Sequence, residues 1–293
     1  MYLEKLFPFL FINKSPKFFS CEICQLAKHT RSGYPSLSYT PSHPFAMIHS
    51  DVWGPSGKNN ITGARWFVSF VDDHTRLTWV FLMKEKSEVG QNFKNFNSMI
   101  QTQLQTKIQV LKTDNAKEYF KSVLGSYLMS QGIVHLSSCV DIPQQNGIAE
   151  RKNRHLLKVA RSLMFSTHIP KHFWGEAVLT ATYLINRMPS IVLKFKTPCQ
   201  SLLQIFPHTK IISSLDLKIF KCSAFVHIHQ QHRRKIDPKS IKCIFIAYSS
   251  HQKGYKCYSP ITKRVYNSMD VTFFEHQAYY HKTDMQGENM KAF

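Results

Sequence analysis

The sequence PQQNGIAERKNR, residues 143–154, places a single acidic side chain, Glu150, among several basic ones. Proline, two glutamines and a glycine lead into it, which is typical of a loop before a helix. On a helical wheel at about 100° per residue, the apolar side chains share one face and Glu150 lies opposite, among cations. The apolar positions are Ile148, Leu156, Val159 and Leu163, and the cations are Arg154, Lys158 and Arg161. The alternative is a solvated surface helix whose glutamate pairs with Arg154.

Two aspartates stand at the predicted ends of strands. The apolar pattern predicts one strand ending near Asp51 and another ending at Asp114, and 35 residues separate Asp114 from Glu150. Spacing alone is a weak signal, because 18 acidic residues in 293 give about one such pair by chance. Asp72 and Asp73 follow another strand, where a turn is the expected role. Glu118 could support Asp114 or simply be exposed, and exposure is favoured.

The charge balance indicates a polyanionic partner. The chain has 38 Lys and Arg against 18 Asp and Glu, a net charge of +20, and strongly basic proteins of this kind usually bind nucleic acid or an anionic membrane. No apolar run approaches the roughly 20 residues of a membrane span. The seven cysteines are an odd number, which does not suit a disulfide framework. These features favour a polyanionic partner and argue against a membrane-spanning protein.

The order of the predicted elements divides the chain. Residues 41–206 alternate strands and helices after an initial strand meander, which predicts an α/β core with a mixed sheet. Residues 207–219 form a connector. Residues 220–276 contain short strands separated by basic turns, and residues 207–276 hold 12 Lys and Arg against 4 Asp and Glu, which predicts a small basic β-barrel. Residues 1–40 are irregular, and residues 277–293 form a tail.

The sequences around the three acids resemble a known family. The stretches IHSDVWGP, VLKTDNAKEYF and PQQNGIAERKNRHLL together resemble the D-D-35-E integrase catalytic core. The flanking stretches ARWFVSFVDDHTRLTWVFLMKEKSEV, FWGEAVLTATYLINRMPS and GYKCYSP are similar to a copia-type retrotransposon integrase, part of a Pol polyprotein. The resemblance covers about residues 1–276. It implies a ribonuclease-H-like core and a barrel similar to Src-homology-3 domains.

The resemblance also implies a chemistry. Asp51, Asp114 and Glu150 would be the catalytic residues and the ligands of two Mg²⁺ or Mn²⁺ ions, with Asp51 bridging them. The enzyme would be a polynucleotidyl transferase that inserts element DNA into target DNA. Its partners would be element ends and target DNA, it would act as a homo-oligomer, and it would work in the nucleus. The alternative is an inactive DNA-binding relic.

Further residues are predicted to contact DNA. Those on the Glu150 helix are Arg154, Lys158 and Arg161, those before it are Gln144, Gln145 and Asn146, and those in a turn of the barrel are Arg233, Arg234 and Lys235. Cations at these places would hold phosphates. The alternatives are a polar loop with an N-cap at Asn146 and a solvated turn in the barrel.

Two departures from the family pattern favour the relic. Cys21 and Cys24 supply only two of the four ligands that structural zinc needs, so zinc is doubtful and residues 1–40 are expected to be the remnant of a truncated zinc domain. Ala116 and Lys117 stand where the family has two glycines. If either needed a positive φ, it would carry about 1 kcal/mol or more of strain.

Overall fold

The computed structural model describes residues 43–120, 122–138, 146–167, 169–210, 215–249 and 252–279, together with residues 5, 6 and 8. The chain divides into a unit Met1–Thr40 and a compact unit Pro41–Phe293. The expectations for Cys21, Cys24, Gln144 and Gln145 lie outside the described residues. The predicted domain boundaries stay predictions.

The first sheet carries the predicted meander and then two parallel strands. Its order is β3-β2-β1-β4-β5, with β1 antiparallel to β2 and parallel to β4. The strands are β1 (Met47–Trp53), β2 (Trp66–Asp72), β3 (Thr78–Met83), β4 (Val110–Thr113) and β5 (Val134–Ser137). This mixed five-stranded sheet with helices on it confirms the ribonuclease-H-like fold.

Helices cover both faces of this sheet. They are α1 (Val89–Leu104), α2 (Ser122–Ser130), α3 (Gly147–Ser166), α4 (Trp174–Ile185) and α5 (Pro198–Ile205). The apolar stripe of α1 packs with α2 against one face, where Val68 and Phe70 of β2 point. Helices α3 and α4 cover the other face, where Phe67 points. Alternate side chains of β2 therefore pack into two separate hydrophobic cores, one on each face of the sheet.

A second sheet follows in the chain. It is antiparallel with the order β10-β6-β7-β8-β9. Its strands are β6 (Cys222–His227), β7 (Ser240–Tyr248), β8 (Tyr255–Ser259), β9 (Arg264–Ser268) and β10 (Val271–Ala278). Among the described residues β9 and β10 do not pair, so the expected barrel is an open sheet here. The stretch VYNSMDVTFF, residues 265–274, belongs to two strands, because the chain bends at Met269 and Asp270.

Helix α4 joins the two sheets. Its Thr180 hydroxyl donates to the Ile246 carbonyl of β7 at 3.2 Å, and Lys256 of β8 pairs with Glu176 at 3.2 Å. Glu176 is fully buried. Ile244 and Ile246 of β7 belong to the same apolar cluster as the core side of α4. The second sheet is therefore packed directly on the core through this helix.

Candidate active site

Asp51 and Asp114 lie on neighbouring parallel strands. The register pairs His49 of β1 with Lys112 of β4, and each aspartate comes two residues further along the chain. Because side chains alternate along a strand, both aspartates point to the face that α3 covers. Asp114 directly follows β4, as predicted. Asp51 lies within β1, two residues before the strand ends at Trp53, which agrees with a strand predicted to end near Asp51.

Glu150 lies in the first turn of α3, whose start is anchored beside Asp51. The amide of Asn146 donates from Nδ2 to the main-chain oxygen of Ser50 at 2.9 Å. Asn146 stands at the N-cap position, as the alternative expected, but its side chain makes no capping bond. It is fully buried, so it would have to move to reach DNA. Its predicted DNA contact stays a prediction.

Asp51 is influenced by the charges of the other two acids. Burial raises the pKa of Asp51, and the charges of Asp114 and Glu150 raise it further, to about 6. Asp114 has the larger effect of the two. Burial also raises the pKa of Asp114. Among the described residues, no Lys, Arg or His forms an ion pair with any of the three. The fold therefore collects negative charge that needs a counter-cation.

Asn153 is a site residue that the sequence analysis missed. Its Nδ2 donates to Asp51 Oδ2 at 2.9 Å, and this bond lowers the pKa of Asp51. Asn153 is buried on the face of α3 that meets the sheet, next to Leu156. Its place on the helical wheel could have identified it: Asn153 lies about 60° from Glu150, at the edge of the apolar face. Such an amide needs a buried partner.

The surroundings of Asp114 also correct an expectation. Glu118 is not exposed: its side chain is 11% exposed and pairs with Lys86 at 2.7 Å. Its charge raises the pKa of Asp114, and that of Lys86 lowers it. Neither Ala116 nor Lys117 has a positive φ. Ala116 instead donates its N–H to Asp114 Oδ1 at 3.2 Å. Replacing the family's glycines therefore brings no left-handed strain at this turn.

The three carboxylates are suitable ligands for a hard divalent cation, although they do not yet surround a common point. Mg²⁺ and Mn²⁺ prefer carboxylate oxygens, and the charges of Asp114 and Glu150 both act on Asp51. Within the described ranges, however, no three His, Cys, Asp or Glu side chains converge closely enough to hold a metal ion. The predicted metal ligands therefore match in chemistry and neighbourhood, and their convergence on one point stays a prediction.

Six of the predicted DNA residues lie in two surface regions. Arg154, Lys158 and Arg161 are exposed on α3, on the side away from the sheet. Arg233, Arg234 and Lys235 lie in the turn between β6 and β7. This turn is held by Arg233 Nε, which donates to the Ile228 carbonyl at 3.2 Å, and by the Arg234 N–H, which donates to Asp237 Oδ2 at 2.8 Å. In the described part of the chain, no helix is both long and apolar enough to cross a bilayer.

Comparison with curated proteins finds close relatives over most of the chain. The chain is 38% identical over 255 residues to the Retrovirus-related Pol polyprotein from transposon TNT 1-94 of Nicotiana tabacum, covering 87% of this chain and 19% of that protein. It is 36% and 34% identical over 264 residues to those from transposons RE2 and RE1 of Arabidopsis thaliana, covering 90% of this chain and 18% of each. This chain is homologous to a segment of plant transposon Pol polyproteins. It spans about a fifth of the length of these relatives.

The second sheet of this Pol segment has its own match. Residues 222–287 match the family described as the retroviral polymerase SH3-like domain, which confirms the predicted Src-homology-3 likeness. Among solved structures, the HTLV-2 integrase catalytic core domain in complex with magnesium (trimeric form) is 18% identical with a TM-score of 0.41. The matched region covers 54% of this chain and 95% of the solved chain.

Proposed function

We propose that this chain is an integrase that joins retrotransposon DNA to target DNA by metal-dependent strand transfer. The observation that supports the proposal is the register of β1 and β4, which puts Asp51 and Asp114 on the same face of the sheet, together with the charges of Asp114 and Glu150, which both raise the pKa of Asp51. Homology to transposon Pol polyproteins supports it. DNA is the proposed partner, a homo-oligomer the proposed assembly and the nucleus the proposed location.

Asp51, Asp114 and Glu150 would hold two Mg²⁺ or Mn²⁺ ions. When bound, such ions activate an attacking hydroxyl and stabilise the leaving oxygen in phosphodiester chemistry. Asn153 orients Asp51 through its hydrogen bond, and the exposed cations of α3 bind the phosphates of the donor strand. One P–O bond forms as another breaks, so the transfer consumes no further reactant. A side-chain nucleophile is not required.

A strand-transfer assay tests this proposal. Wild-type protein is incubated with labelled element ends, target DNA, and Mg²⁺ or Mn²⁺. The Glu150→Gln variant keeps the shape of the side chain and removes its charge, so transfer should fall at least about 100-fold while DNA affinity persists. Glu275→Gln is a matched control, since Glu275 pairs with Lys218 on the second sheet, and it should retain transfer. Transfer by Glu150→Gln at the wild-type rate would remove Glu150 from the mechanism.

DNA binding without catalysis is the second candidate function. The exposed Arg154, Lys158 and Arg161 favour it, because a basic helix face binds phosphates without any metal. Salt-dependent DNA binding by wild-type protein, with no transfer in either metal, would establish this function and exclude the first.

A further inference from the structure

The three segments that carry the acids are tied together at Ser50, the residue before Asp51. The Ser50 hydroxyl shares a 2.7 Å hydrogen bond with the hydroxyl of Tyr119. The main-chain oxygen of Ser50 accepts the bond from Asn146 at 2.9 Å. Ser50 and Asn146 are fully buried, and Tyr119 is 1% exposed. A buried residue thus bonds through its side chain to one neighbouring segment and through its backbone to another.

Tyr119 connects Ser50 to Asp114. It lies in a 3₁₀ turn, Lys117–Phe120, a few residues after Asp114. Its N–H donates to the Ala116 carbonyl at 3.1 Å, and the Ala116 N–H donates to Asp114 Oδ1 at 3.2 Å. Hydrogen bonds therefore link Asp114 to Ala116, Ala116 to Tyr119, and Tyr119 to Ser50.

Asn146 connects Ser50 to Glu150. It immediately precedes α3, and Glu150 lies one turn further along the helix. Because an α-helix is rigid over a single turn, fixing Asn146 on β1 fixes the place from which the Glu150 side chain extends. The bond from Asn153 to Asp51 adds a second contact between the same helix and strand.

We propose that Ser50, Tyr119 and Asn146 are positioning residues that set the spacing of the three carboxylates and thereby their affinity for divalent cations. The inference rests on the proposed function, since it concerns the same site. None of the three needs to touch the cation or the DNA. Each acts by holding in place a segment whose carboxylate binds the cation.

The chemistry of the Ser50–Tyr119 bond suits this role. Burial, and the nearby charges of Asp51, Asp114 and Glu118, hold the pKa of Tyr119 well above its usual value, so the phenol stays neutral. A neutral hydroxyl pair adds no charge to a site that already collects carboxylates. Groups that orient metal ligands typically change metal affinity or activity by about 10- to 100-fold when removed.

The test measures binding of Mn²⁺ alone, by the electron paramagnetic resonance signal of the free ion, at a temperature where every variant is folded. Tyr119→Phe deletes one oxygen and keeps the ring. We expect it to weaken Mn²⁺ binding about 10-fold, and Ser50→Ala to do the same. Because these two changes remove the same bond, the double variant should bind no more weakly than either single one. Asn146→Ala removes a different bond, so combining it with Tyr119→Phe should weaken binding further.

Tyr127→Phe is the matched control. Tyr127 also lies in the first core and accepts a hydrogen bond from Asn97 at 3.1 Å, but it bonds to none of the acid-bearing segments. It should leave the Mn²⁺ affinity unchanged, whatever it does to the free energy of unfolding. If Tyr119→Phe lowers only the unfolding free energy and keeps the wild-type Mn²⁺ affinity, the positioning role is wrong while the proposed function stands. If wild-type protein neither binds Mn²⁺ nor transfers strands, both are wrong.

Discussion

Asp51→Asn should stabilise the metal-free protein at neutral pH. The pKa of Asp51 lies at about 6 in the folded protein, against 3.8 for an ordinary aspartate. At about 1.4 kcal/mol per pKa unit, ionising this carboxylate costs the folded state up to about 3 kcal/mol. Water reaching a half-buried side chain screens part of this, so we expect a gain of about 1–3 kcal/mol. Asparagine keeps the shape and an oxygen to accept the bond from Asn153.

The gain should depend on pH with a definite sign. A carboxyl group whose pKa is raised in the folded state favours folding while it is protonated and loses that contribution as pH rises. Wild type and variant should therefore be about equally stable below about pH 4, and the variant's advantage should grow up to about pH 6 and then level off. Urea unfolding in the presence of a chelator, at pH 4, 5, 6 and 7.5, measures this difference.

Asp72→Asn is the control, with the opposite expectation. Asp72 accepts hydrogen bonds from the Phe45 N–H, the Thr75 N–H and the Thr75 hydroxyl at 2.6–2.9 Å. An amide NH₂ placed against these donors should cost about 1–3 kcal/mol. If Asp51→Asn destabilises the protein at pH 7.5, or gains more at pH 4 than at pH 7.5, the electrostatic account of the site is wrong.

Three further predictions concern the surface of α3 and the packing of α4. Replacing Arg154 and Lys158 together by alanine should weaken DNA binding on any sequence and lower the slope of log affinity against log salt by up to ~2; anisotropy titrations at several salt concentrations that give an unchanged slope would contradict this. Lys256→Met leaves the buried Glu176 without its cation and should cost about 3 kcal/mol in urea unfolding; a loss below about 1 kcal/mol would show that the pair matters little. Gly175→Ala places a methyl group 2.6 Å from a buried amide nitrogen and should cost about 1–3 kcal/mol by calorimetry; unchanged stability would mean that the neighbouring loop yields freely.

The sequence predicted the elements of the first sheet well, because its strands and helices carry clear periodicities. The meander is short and apolar with turn residues between its strands, and α1 repeats Val89, Phe93, Phe96 and Ile100 at helical spacing. Helix α5 was not predicted, because it has eight residues and only three of them are buried. A pattern of only two or three apolar side chains cannot be told from a chance arrangement of residues.

The supporting residues of the site were less predictable, since they depend on contacts between distant parts of the chain. Asn153 meets Asp51 across 102 residues and Asn146 meets Ser50 across 96. No local pattern specifies such a pair. The burial of Glu118 has the same origin, because its partner Lys86 comes from the start of another helix. The packing of the second sheet on α4 was likewise missed, although a helix buried on two sides is the usual sign of a second layer.

Anomalous scattering from crystals grown with Mn²⁺ tests the central claim most directly. The account predicts anomalous peaks bounded by the carboxylates of Asp51, Asp114 and Glu150, with the Glu150 side chain drawn toward the two aspartates. The Glu150→Gln protein should lose at least one peak under the same conditions. Saturating Mn²⁺ with no peak beside Asp51, or with peaks only elsewhere on the molecule, would contradict the assignment of these three residues as a metal site.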